Sequence, residues 1–338
     1  MCRSAFCQLG CLLLFFTSAR GILGGQAPEP PSWKEDIALA LDLERRGDLI
    51  GAERAFRSAL AHGQRAGYEA TATAHVLDAL GLFYDDIGDF DQAIICFKSS
   101  LAIWRRTLPP GHVALARVVN RLAAAYLESG QAGKVAALDL PAWVARLEAN
   151  DPSSKDLIPL LENLAVLKML EKRFDEAESL YWRTLQLVQG CLSCQPGERA
   201  VVLNDLGLLY LRWKRGEKAV APLFESLDLW NKVLGPDNPN SAITGHSLAL
   251  AYMCTGNFTA AAPLLLRSIS LAEKHFGPNS LRTAEISQSY AVLLRKIGKK
   301  AEAKTIEQRI RPIVLAAQPH TSSLQSVDIT ELLRKENH

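Results

Sequence analysis

By type and spacing, the residues best placed to do chemistry are Cys191 and Cys194, a single C-x-x-C pair in a chain of 338 residues. In an oxidising compartment such a pair closes a small disulfide loop or rests as inert thiols. In a reducing one it serves as a redox pair or as half of a metal site. No second C-x-x-C and no H-x-x-x-H completes a zinc set, so no metal is expected. His62, His75, His112, His246, His275, His320 and His338 are scattered without a second histidine or a cysteine at i+3 or i+4. The adjacent acids Asp85 and Asp86 read as solvated surface near a helix end. Neither a nucleophile with its base nor a glycine-rich phosphate loop is present, so the chain reads as a non-enzyme without cofactor. Cys96 and Cys254 fall inside helical patterns, as packing residues do.

The elements that carry these residues repeat. Between Glu198 and Pro278 the chain states one pattern twice at an offset of 42 residues, with Leu206/Leu248, Gly207/Ala249, Tyr210/Tyr252, Ala219/Ala261 and Gly235/Gly277 in register. Followed along the chain, the period places a turn at Gly47, Gly88, Gly130, Lys172, Lys214, Gly256 and Gly298, which predicts seven units of two helices each. Seven residues before each turn stand Ala40, Gly81, Ala123, Ala165, Gly207, Ala249 and Ala291, small every time. Five after it stand Ala52, Ala93, Val135, Ala177, Ala219, Ala261 and Ala303. Small residues at both places let an antiparallel helix pair approach closely. The fold class is therefore all-α, a right-handed superhelical solenoid of about seven antiparallel helix pairs.

This pattern resembles the tetratricopeptide repeat, whose signature is matched by Leu80, Gly81, Tyr84, Ala93 and Phe97. Each unit runs about eight residues beyond the ordinary 34-residue form. The surplus lies in inter-unit turns such as Leu234-Gly235-Pro236-Asp237-Asn238-Pro239, a longer form similar to the repeats of kinesin light chain. That resemblance implies peptide binding, with the first asparagine of an Asn-Asn-Leu-Ala-x-Leu-Tyr pattern helping to hold the peptide. Asn120 and Asn204 match that position, whereas Glu162 replaces it in unit four, with Asn163 beside it.

Stacked first helices make a concave wall. Ten residues before each turn the wall offers Ile37, Asp78, Asn120, Glu162, Asn204, His246 and Gln288, mostly hydrogen-bonding groups. Six before it stand Leu41, Leu82, Ala124, Val166, Leu208, Leu250 and Val292, an apolar strip on the same face. An extended peptide needs both, amides for its backbone and apolar shallows for its side chains. Arg212, Arg295 and Lys296 give one end of the wall a basic character suited to an acidic segment. The expected partner is thus a protein or peptide. The net charge of +2, a 22% charged fraction and the absence of a basic block interleaved with aromatics give no footprint for nucleic acid.

Residues 1–19, with Arg3, an apolar run from Leu9 to Phe16 and Thr17-Ser18-Ala19, read as a secretory signal, too short to span a bilayer. Residues 20–32 read as a flexible lead-in and 33–312 as the seven units. Beyond these, 313–338 form a polar link and a segment in which Val327, Ile329, Leu332 and Leu333 share one side, either a short helix folded over the last unit or a mobile tail. The expected location is secreted or periplasmic. The alternative is a cytoplasmic redox-responsive adaptor that uses Cys191 and Cys194 and keeps its N-terminus. Pro141 is expected to break the second helix of unit three, whereas Pro222 and Pro263 are expected close to the starts of theirs, where backbone donors have no helical partner.

Overall fold

In the computed structural model of the chain, residues 32–65, 70–317 and 332 are described. The signal and almost all of the lead-in lie outside these residues, as does the segment after Ala317 apart from Leu332. Among the described residues every regular element is a helix, and the chain divides into two compact units between Asn150 and Asp151. The first contains α1 (Trp33–Arg45), α2 (Leu49–Arg65), α3 (Ala70–Asp86), α4 (Phe90–Thr107), α5 (Val113–Glu128), a 3-10 helix (Ala132–Leu138) and α6 (Leu140–Asn150). The second contains α7 (Leu157–Leu170), α8 (Phe174–Gly190), α9 (Pro196–Arg212), α10 (Gly216–Leu234), α11 (Pro239–Cys254), α12 (Phe258–Phe276), α13 (Leu281–Lys296) and α14 (Lys300–Ala317). None of these helices is long and apolar enough to cross a membrane.

All seven expected turns are left-handed, with φ from 58° at Lys214 to 88° at Gly298. Each closes its first helix with the same pair of bonds. At the first turn Gly47 N–H donates to Glu44 C=O (2.9 Å) and Asp48 N–H to Leu43 C=O (3.0 Å), and this pair recurs at Gly88, Gly130, Lys172, Lys214, Gly256 and Gly298. Carbonyls that the helix end would leave unpaired are thereby satisfied. Glycine takes this conformation without strain, whereas a β-carbon at Lys172 and Lys214 makes it cost roughly 1–2 kcal/mol. The paired backbone bonds of the turn hold those two exposed lysines there.

Close approach within each pair explains the small residues. Ala40, Ala123, Ala165, Ala249 and Ala291 are all 0% exposed. At the two glycine positions no room remains for a methyl group: a β-carbon on Gly81 would lie 2.5 Å from the Phe97 ring, and one on Gly207 would lie 2.3 Å from Leu223 Cγ. Nine residues after the turn, the second helix thus supplies a large side chain that fills the notch opposite the small one.

In unit three the break falls where Pro141 places it. The 3-10 helix ends at Asp139, left-handed at φ 50°, and α6 starts at Leu140, so Pro141 occupies the first turn of a new helix and costs no hydrogen bond. The other two prolines correct the sequence reading. Pro222 is the seventh residue of α10 and Pro263 the sixth of α12, both past the first four unpaired donors, and both helices run on through them. Burial decides this: Ala219 and Leu223 beside Pro222, and Ala261 and Leu265 beside Pro263, are 0% exposed. The last helix also runs to Ala317 instead of stopping at 312. In unit one Leu39 and Leu41 lie exposed, while Ala40, Ala52, Phe56 and Ala59 form its core.

Candidate functional site

The residues ten before each turn lie on the first helices. Asp78 is on α3, Asn120 on α5, Glu162 on α7, Asn204 on α9, His246 on α11 and Gln288 on α13, each half-buried. Caps at the helix starts fix their register. α9 begins at Pro196, already set for helical φ, and at α11 the Asn238 side chain accepts from Ser241 N–H (2.9 Å) while donating to Trp230 C=O (3.3 Å). At α13 the Ser280 hydroxyl accepts from Thr283 N–H at 3.2 Å.

Within the first compact unit, Asp78 does not stand open on the wall. Its carboxylate accepts from Trp104 Nε1–H (3.2 Å), Arg121 Nη1 lies 3.8 Å away, and burial holds its pKa above the usual range against the pull of Arg121. It ties α3 to α4 and α5. Leu82 and Ala124 are half-buried beside it. Asp85 and Asp86 are half-buried as well, which corrects the solvated reading. Burial, then the neighbouring Asp86 and Glu128, push the Asp85 carboxyl up to about 7. On α1, burial and then Asp86 raise Glu44 too.

In the second compact unit the apolar strip is mostly core. Val166, Leu208 and Leu250 are 6%, 4% and 1% exposed, and only Val292 is half-buried. Neighbouring helices cover them, which leaves the hydrogen-bonding row as the accessible part of this face. His246 Nε2 lies 2.8 Å from Ser289 Oγ, and burial, then the Arg282 charge, push its pKa down to about 3, so the ring is neutral at ordinary pH. Asn204 Oδ1 is buried and has no hydrogen-bond partner among the described residues. Arg295 holds Glu307 in a two-pronged pair (2.7 and 2.6 Å), so the charge of this one member of the expected basic end is neutralised from within the fold.

Cys191 and Cys194 form a disulfide in the loop between α8 and α9, where Leu192 is fully exposed. Burial pushes the Cys96 and Cys254 thiols up to about 11, as suits packing residues.

A tie between consecutive helix pairs escaped the sequence reading. Tyr84, four before its turn, donates to Glu53 Oε1 (2.8 Å), and Tyr210 donates to Glu178 Oε1 (2.5 Å). Both glutamates stand six residues after the preceding turn, at Gly47 and Lys172, so the pairing was encoded as a Glu–Tyr combination across the inter-unit connection.

The tetratricopeptide repeat profiles match residues 36–106, 199–240 and 242–315, together more than half of the chain. The chain is a tetratricopeptide repeat protein. None of the curated proteins matches it. Among solved structures it is similar to a variant of a Podosopora anserina putative kinesin light chain with nearly identical TPR-like repeats, at 23% identity over 61% of this chain and 97% of that one, TM-score 0.50. It is also similar to the Rap conjugation gene regulator of plasmid pLS20 in complex with the Phr* peptide, at 11% identity, 90% and 77% coverage and TM-score 0.60. The apo form of RapI matches at 14% identity, 84% and 99% coverage and TM-score 0.61. At these identities the likeness is one of fold.

Proposed function

We propose that this tetratricopeptide repeat protein is a non-enzymatic scaffold that holds an extended segment of a partner protein on the first-helix face of α7, α9, α11 and α13. One observation carries this: Asn204 Oδ1, in the middle of the hydrogen-bonding row, is buried without a partner among the described residues. A buried acceptor left unmade costs roughly 1–3 kcal/mol, and a peptide N–H in the groove removes that cost. The kinesin light chain resemblance assigns Asn204 the same role, and a similarly folded regulator was solved with a peptide bound. The buried Val166, Leu208 and Leu250 shape the floor, so recognition is by backbone hydrogen bonds more than by apolar pockets.

A displayed library of random peptides supplies the probe. Peptides selected on the wild type are expected to bind Asn204→Ala about tenfold more weakly, the value of one buried hydrogen bond, with circular dichroism unchanged. Equal affinity of the two proteins would place binding on another face.

The Cys191–Cys194 disulfide supports export to an oxidising compartment. Intact mass of the protein from its native host is expected to lack residues 1–19, and a retained N-terminus would instead favour the cytoplasmic, redox-responsive reading.

A further inference from the structure

We propose that the groove between α12 and α14 is the docking site for the chain's own segment 324–335. The groove encloses about 290 Å³ and is lined by Leu266 and Ile269 of α12, Tyr290 of α13 and Ile306 of α14, with Glu273 and Arg309 at its edges. Leu266 is 50% exposed, so the helix pairs themselves leave this apolar surface uncovered. Among the described residues Arg309 makes long contacts, 3.4 Å to Glu273 Oε1 and 3.4 Å to Ser287 Oγ. A guanidinium carries five N–H donors, and most of its capacity is therefore open to an acid.

The segment has the complementary pattern. Ile329, Leu332 and Leu333 stand at i, i+3 and i+4, one helical face, and Asp328 and Glu331 flank them as acids for Arg309. Leu332, beyond the end of α14, is helical and half-buried. Reach is sufficient. The link from Ala317 to Val327 spans up to ~33 Å when extended, and Arg309 and Ile306 lie roughly 12–16 Å back along α14. A linker of this length also makes the contact intramolecular at high effective concentration, which favours the chain's own segment over an equivalent one in trans.

Hydrogen exchange on the full chain tests this. In a Leu332→Asp/Leu333→Asp variant, amides of residues 266–273 and 305–309 are expected to exchange about tenfold faster than in the wild type. Reciprocally, Leu266→Asp, at a position already half open to water, is expected to deprotect residues 327–333. Unchanged rates in both variants overturn the proposal. Groove protection that rises with protein concentration also overturns it, by assigning the groove to a second copy. Protection that is missing in the pure wild type and appears only in cell extract assigns the groove to a partner, with the same consequence.

Discussion

Phe97→Ala is expected to lower the stability of residues 32–150 by about 3–5 kcal/mol, read as a fall in the urea midpoint followed by far-UV circular dichroism. Phe97 is 0% exposed on α4, and its ring occupies the notch that Gly81 leaves on α3. Removing the ring forfeits its transfer free energy and opens a cavity between two helices whose approach was set by that fit. The fit makes a second, sharper statement. Gly81→Ala in the wild type is expected to cost about 1–3 kcal/mol through overpacking, although alanine is the better helix former by roughly 1 kcal/mol. In the Phe97→Ala background the clash is gone, so the same change is expected to be neutral or stabilising. Additive effects in this double-mutant cycle would show that the two positions do not share a contact.

Acid is expected to destabilise residues 151–317 through His246. The ring titrates near 6.5 when exposed, and burial next to Arg282 brings it to about 3 in the fold. Below pH 6.5 the unfolded chain therefore takes up a proton that the folded chain refuses. Stability from this group is full above pH 6.5 and falls by about 1.4 kcal/mol for each pH unit down towards 3. His246→Gln keeps a side chain able to bond Ser289 and removes the titration. The variant is expected to gain on the wild type by about 3 kcal/mol between pH 6.5 and 4, measured as the difference between their urea transitions. Asp85 works in the opposite direction. Its folded pKa of about 7 lies above 3.8, so its contribution falls as pH rises between those values. It is present in both proteins and cancels in the difference. Parallel stability curves for wild type and variant would mean that water reaches the His246 ring.

How legible each feature was depended on how local its cause is. The turns were legible because a left-handed residue after a helix demands little more than glycine or a tolerant substitute, and the small–large pairing because two helices joined by a short turn meet in a set register. The break at Pro141 was legible for the same reason, since a proline acts on its own turn. Pro222 and Pro263 were misplaced because the start of α10 and α12 depends on packing: buried Ala219, Leu223, Ala261 and Leu265 hold the backbone helical on both sides of each ring. Asp78 and Arg295 looked like wall residues from their position on a helix, but Trp104 and Glu307, which engage them, sit on the following helices.

By itself the sequence determined the repeat: seven turns, two helices to each, the small residues that let them close and the face on which Asn120, Asn204 and His246 stand. Those features follow from helical periodicity and backbone sterics within one unit. Tertiary structure alone decided which residues on that face remain reachable. Val166, Leu208 and Leu250 share a stripe with residues that are only half-buried, yet neighbouring helices cover them, and the same stacking neutralises His246 and leaves the Asn204 oxygen without a partner among the described residues. Burial of this kind is a property of adjoining helices and of the distance between them, which a periodicity along one helix does not contain.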